Sequence, residues 1–278
     1  MSAQAPLIQG PSAFGGDLRR LAYLSWIIGL TEYRLTYFGS VLGYLWSLMR
    51  PLLLFGVLYV MFSQIVDFGN DIPNYPVLLL MNIVLFNFFS DATTRGVTSV
   101  VERESLVRKM QFPRLVVPLA RVLSAWLNLA ISLVAVFVFL VGYGLTPRPG
   151  WLLLPLTVIP LAVLTLCVSM LLSALYVRYR DMAPIWAVFS TVLFYGSPVL
   201  YAIDKVPPGY REWMLRLNPI ADLLEQTRKW VIDAGAPGAA AGTGGGLWIL
   251  MPIGIATAVC VLSVWVFERD APQIAERL

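Results

Sequence analysis

An all-α membrane protein is the fold class this sequence predicts, and three observations carry that reading. Of its 278 residues 58% are hydrophobic and only 13% charged, against about 25% charged in soluble domains. The charges cluster in the gaps between six apolar stretches. No Asp, Glu, Lys or Arg stands between Arg121 and Arg148, nor between Arg148 and Arg178, and a helix needs roughly 20 mostly apolar residues to cross a hydrocarbon core about 30 Å thick.

Six transmembrane helices are therefore predicted, at 45–66, 76–95, 119–142, 151–177, 185–203 and 247–267. The first is bounded by Arg50 and Asp67, charges that helix ends accommodate by snorkelling. Pro155 and Pro160 fall in the fourth, where neighbouring helices of a bundle re-satisfy freed carbonyls. The chain divides into 1–44, a cytoplasmic tail with an interfacial amphipathic helix, and 45–278, the six-helix domain. Of the 20 Lys and Arg residues, 14 fall on one set of alternate sides: the N-terminal segment with Arg50, 95–121, 178–184 and the C-terminal tail. Basic loops face the cytoplasm, which places both termini inside.

Composition also excludes chemistry. The chain has no histidine, which removes His triads, His metal sites and the commonest general base. Cys167 and Cys260 sit inside apolar stretches and suggest neither a disulfide framework nor a metal cluster. The net charge of +4 is read as loop charge, so no nucleic-acid partner is expected. The first 18 residues lack an apolar run behind a basic start, and no cleaved signal peptide is expected.

Three segments are not simple spans. Residues 17–44 mix charges with Tyr23, Trp26, Tyr33 and Tyr37, and Trp and Tyr favour the headgroup zone. This segment is either a plain interfacial anchor or a helix that packs on a partner. Residues 97–118 carry Glu102, Arg103, Glu104, Arg108, Lys109 and Arg114. A short helix over 98–110 would set Glu104 and Arg108 at i,i+4, with Leu106 beside them; the alternative is a solvated basic loop. In 197–233, Ser197-Pro198 ends the fifth span and breaks its hydrogen-bond ladder. Two apolar-aromatic stretches then follow on either side of Asn218-Pro219. Each is too short to span, so they read as re-entrant or surface helices. The run 234–246 reads as a flexible linker, and it is no phosphate loop. Asn87, Asp91 and Arg95 share a face at the inner end of the second span, as an ion site or a snorkelled Asp91–Arg95 pair.

Several phrases, in order, resemble the membrane subunits of bacterial ABC transporters that export polysaccharides. They are Gly39-Ser40-Val41-Leu42-Gly43-Tyr44-Leu45-Trp46 with Pro51, Leu106 to Arg114, Arg180-Asp181, Ser197-Pro198-Val199-Leu200-Tyr201 and Leu217-Asn218-Pro219. The chain departs from the family pattern at Tyr37-Phe38, where a basic residue is common, and at Ser105, where Asn is. The resemblance implies a half-transporter in the bacterial inner membrane. Two copies would form a 12-span pore, and two separate ATP-binding subunits would carry ATP and Mg. It implies a coupling helix containing Glu102, Glu104, Leu106, Arg108 and Lys109, and an outer gate containing Phe194, Tyr195, Ser197, Pro198 and Tyr201. The cargo it implies is a lipid-linked glycan: an O-antigen, a teichoic-acid-like polymer or a galactan. The chain itself would hold no cofactor or metal and would not be an enzyme. Competing readings are an ABC exporter of drugs or lipids, a membrane-embedded glycosyltransferase and an ion-coupled transporter. The last two lack, respectively, a clear acid pair and midspan ionisable residues.

Overall fold

A computed structural model describes residues 18–37, 43–67, 69, 72–103 and 113–277, and every regular element among them is helical. In chain order these are α1 (Leu18–Tyr37), α2 (Gly43–Val60), α3 (Tyr75–Glu102), α4 (Val116–Gly142), α5 (Pro155–Arg178), α6 (Met182–Tyr195), α7 (Tyr210–Leu217), α8 (Pro219–Thr227), α9 (Gly238–Gly242) and α10 (Leu250–Arg277). Among the described residues five stretches are long and apolar enough to cross a membrane: Leu45–Ile65, Tyr75–Glu102, Val116–Gly142, Pro149–Arg178 and Gly246–Asp270. A wide π-helical turn, Met61–Ile65, extends α2, and a 3₁₀ turn, Pro149–Leu153, leads into α5.

The centre of the bundle is α3, which packs on α4 and α5. Residues 77–86 are buried without interruption, which a helix apolar on all sides allows. Small residues set its closest approach: a Cβ added at Gly96 would collide with the Ser169 side chain of α5, the way membrane helices bring their backbones together. A second apolar cluster joins Leu21 of α1, Val100 of α3, Val116 of α4, Ala174 of α5 and Phe267 of α10 at one end of the bundle. That end also carries Arg50, Arg95, Arg103 and Arg121, and is called the basic end below. α2, by contrast, leaves Leu45, Trp46, Leu53, Val57 and Val60 exposed.

α1 buries Leu21, Ser25, Gly29 and Glu32, a stripe at i,i+4 and i,i+3 that turns small and polar after Leu21. The reason is its partner, α4: a Cβ on Gly29 would stand 3.0 Å from the Ala120 carbonyl oxygen. Tyr23, Trp26 and Ile27 stay exposed on the other side.

Five boundaries differ from expectation, one of them that of α10, which runs to Arg277 rather than ending at 267. α3 continues to Glu102, seven residues past the predicted 95, so residues 98–102 of the anticipated coupling helix belong to it. Pro155 does not interrupt a helix but starts one, at its first turn, where its missing N–H costs nothing. α6 ends at Tyr195 rather than 203, and at about 1.5 Å per residue its 14 residues cover about 21 Å. Finally, 234–246 is no free linker. Ala239 and Thr243 are buried, and Gly244, Gly245 and Gly246 take φ of +94°, +76° and +60°, left-handed values at which only glycine is unstrained.

Gly96→Leu is expected to lower the thermal midpoint of the purified protein, with overpacking worth about 1–3 kcal/mol. Gly56→Leu, facing nothing within 4 Å, is the control and leaves it unchanged. Equal midpoints for the two variants would contradict the close α3–α5 approach.

Candidate functional site

At the basic end, α1, α2, α3 and α4 enclose a cavity of about 310 Å³. Its wall is polar although three of these helices are membrane-length. α4 contributes Arg121, Ser124, Asn128 and Ser132, a stripe at helical spacing, while α3 adds Asn87, Asp91 and Arg95 and α2 adds Trp46, Ser47 and Arg50. The predicted face of Asn87, Asp91 and Arg95 is real, but its ion pair is not the expected one. Asp91 reaches Arg50 of α2 at 3.7 Å, across the helix interface rather than along its own helix.

Beside the cavity, one buried acid joins three elements. Glu32 of α1 accepts from Arg103 at the end of α3 and lies 3.7 Å from Arg121 of α4. Arg121 also donates to Glu102 at 2.6 Å, and Thr98 donates to the other oxygen of Glu102. Burial pushes the Glu32 carboxyl up, against the pull of Arg121 and Arg103. One Glu32 oxygen and the Arg121 Nε are buried without a hydrogen bond.

At the opposite end, the chain leaves α6 through Gly196, Ser197 and Pro198; the Ser197 carbonyl accepts from the Val199 N–H at 2.7 Å, and three other carbonyls of this turn go to distant side chains. Asn82 donates to the Pro198 carbonyl at 2.7 Å, Tyr75 to that of Leu200 at 2.8 Å, and Asn218 to that of Gly196 at 3.4 Å. Asn218 also donates to Ser197 Oγ and caps α8, its Oδ1 accepting from the N–H groups of Ile220 and Ala221.

Behind this turn lies a second charge cluster. Arg228, almost fully buried, pairs with Asp204 at 2.7 Å, Glu225 at 3.3 Å and Asp233 at 3.8 Å. One guanidinium thus faces three carboxylates. Burial, outweighing Arg228, pushes the Glu225 carboxyl up to about 7. Burial alone carries nearby-in-sequence Asp222 to about 7.

The sequence-predicted site residues separate accordingly. Glu102 joins the Glu32 network; Glu104, Leu106, Arg108 and Lys109 lie outside the described residues. Phe194 packs edge-on to Phe86 with ring centres 5.2 Å apart. Ser197 is buried and Pro198 anchors the turn through its carbonyl. Tyr201 donates to the Tyr195 carbonyl at 3.1 Å and lines a cavity with Phe62 and Val66, while the Tyr195 side chain is 63% exposed. Sequence reasoning missed Glu32, Arg121, Asn82 and Arg228. For Asn82 and Arg228 a signal existed, a polar residue inside or beside an apolar run, which must find a partner; Asn82 finds its partner 116 residues away, and Arg228 pairs with Asp204, 24 residues away, as well as with Glu225 and Asp233 close by.

The ABC-2 type transporter family matches residues 23–230, from within α1 to just past Arg228. The chain is 31% identical over 199 residues to the O-antigen export system permease protein RfbA of Klebsiella pneumoniae, covering 71% of this chain and 76% of that protein. It is 27% identical to the protein of the same name in Myxococcus xanthus, over 89% of this chain and 92% of the other. It is 26% identical to the polysialic acid transport protein KpsM of Escherichia coli, over 73% and 79%.

Because Glu225 is held above its usual 4.5, its contribution to folding is full below pH 4.5 and is lost as pH rises towards 7. Glu225→Gln is expected to flatten the fall in thermal midpoint between pH 5 and 7.5, and a variant with the parent's slope would contradict it. Glu32→Ala, stranding Arg103 and leaving Arg121 to Glu102 alone, is expected to cost about 1–3 kcal/mol, read from the same thermal midpoints.

Proposed function

Because this chain belongs to the ABC-2 type transporter family, we propose that it is the membrane subunit of an ATP-driven exporter of a lipid-linked polysaccharide. The observation that carries this is the shared naming of its relatives: in three organisms, proteins covered over three quarters of their length or more are named for O-antigen export or polysialic acid transport. The chain is a transport subunit, not an enzyme. In this reading two copies pair in the bacterial inner membrane with both termini cytoplasmic, and the exposed apolar sides of α2, α6 and α10 supply area for lipid and for the second copy. ATP and Mg sit on two partner subunits, in keeping with a chain that carries no phosphate loop.

The short α6 serves as the fifth of six spans, and α7 and α8 serve as the re-entrant pair. The coupling element is the end of α3 with the residues after it, comprising Glu102, Glu104, Leu106, Arg108 and Lys109. Support comes from the Glu32 network, which ties this point to α1 and α4. A push by an ATP-binding subunit at Arg103 therefore reaches two further helices through ion pairs. At the other end Phe194, Tyr195, Ser197, Pro198 and Tyr201 form the gate. Within it Phe194, Ser197, Pro198 and Tyr201 hold the turn, and Tyr195 offers a ring face on which a sugar can stack.

Two measurements test this. The tagged chain, purified in mild detergent, is expected to bring an ATP-binding subunit in equal amount, and Arg108→Glu with Lys109→Glu is expected to lose it. A chain that purifies alone under several detergents would sink the proposal. Tyr195→Ala is expected to cut surface polysaccharide several-fold while the ATP-binding subunit stays bound. Tyr201→Ala instead costs stability, about 1–3 kcal/mol, by thermal midpoint.

A further inference from the structure

The cavity at the basic end shares Glu32 and Arg121 with the coupling network described above, but the rest of its lining has no part in coupling or gate, and its chemistry is selective. Two of its acids are already answered: Glu32 by Arg103 and Arg121, and Asp91 by Arg50. Arg95 adds a third lining cation, with no ion pair among the described residues. The lining therefore carries an excess of positive charge.

Its donors are also underused. Arg121 Nε is buried without a hydrogen bond. Arg50 meets Asp91 only at 3.7 Å, with both side chains substantially exposed, a separation beyond hydrogen-bond length and an arrangement of little strength. Such a pair yields readily to a stronger anion. A cation is disfavoured by three arginines. A neutral sugar would use the Asn87 amide and the hydroxyl groups but would leave the excess charge unbalanced. Arginine forks match phosphate oxygens in geometry as well as charge. The ligand's anchorage follows from the wall: the cavity lies among apolar helices, and half-exposed Trp46 lines it, the residue type that seats at headgroup level. The volume falls at the lower edge of the roughly 300–1,000 Å³ typical of ligand pockets, enough for a headgroup and not for a polymer.

We propose that this cavity is a binding site for the phosphate group of a lipid, held by Arg50, Arg95 and Arg121 with Asn87 as a neutral donor. The phosphate comes either from the carrier lipid of the exported polysaccharide, which rests on the function proposed above, or from a phospholipid of the bilayer.

The full chain, purified with any subunits that accompany it, is titrated with farnesyl diphosphate, farnesol, dioleoylphosphatidylglycerol and dioleoylglycerol, following the thermal midpoint. The two phosphate-bearing lipids are expected to raise the midpoint by several degrees, and the two without phosphate to leave it unchanged. Arg95→Gln and Arg50→Gln are expected to weaken the phosphate response about tenfold or more. Arg178→Gln, outside the cavity, keeps it. A diphosphate that binds at least tenfold more tightly than the phosphatidylglycerol assigns the site to the carrier lipid, and the reverse order assigns it to the bilayer. Farnesol acting as strongly as its diphosphate, or an Arg95→Gln protein with the parent's response, would overturn the site. Because binding is read without transport or ATP, failure to recover an ATP-binding subunit beside intact phosphate binding counts against the export function and leaves the site standing.

Discussion

A freed carbonyl in hydrocarbon has no solvent to turn to, and this constraint shapes the protein more than any other single interaction. Most of the chain meets it by remaining helical. Where the chain stops being helical after Tyr195, it meets the constraint with side chains: Asn82, Tyr75 and Asn218 donate to the carbonyls of Pro198, Leu200 and Gly196. Two of those donors sit on α3, the most buried helix. The turn, the end of α6 and the start of α8 are consequently fixed to the core of the bundle, not suspended from it.

The two ends of the bundle solve opposite electrostatic problems. At the basic end, arginines outnumber acids and a single buried carboxylate, Glu32, holds two of them while linking α1, α3 and α4. At the other end acids outnumber arginines, and Arg228 serves three of them. Removing either hub leaves like charges facing one another at low dielectric, where repulsion is strong. Apolar packing holds the spans together between the hubs, and ion pairs fix how the short elements dock on them.

The spans were legible because hydropathy over about 20 residues is a direct readout of the solvent. Leu45–Ile65 and Val116–Gly142 fall close to their expected limits for that reason. The α3 boundary was not legible: the charges from Glu102 onward suggest a separate short helix over 98–110, yet Ser99 and Val100 pack against the bundle and carry α3 onward. The site was legible in part. Arg95, Asp91 and Asn87 declared a shared face by spacing alone, but the cavity they open into depends on α1 and α4, whose register relative to α3 no local pattern encodes. Glu32 looked like one charge of several in an interfacial helix. Only the docking of α1 on α4, permitted by Gly29, makes it central.

The stretch 234–246 has the composition of a spacer, and such stretches are where tags, protease sites and fused domains are customarily placed. Here the Thr243 carbonyl accepts from Arg216, whose guanidinium lies 4.1 Å from the Trp248 ring centre, while Gln226 accepts from the Ala239 N–H. An insertion would separate α10 from the helices it follows and pull Arg216 from both partners. Gly238, Gly242 and Gly244 have neighbours where a Cβ would stand, and Gly245 and Gly246 hold left-handed backbone, so a residue type associated with tolerance to change marks one of the less editable parts of this chain.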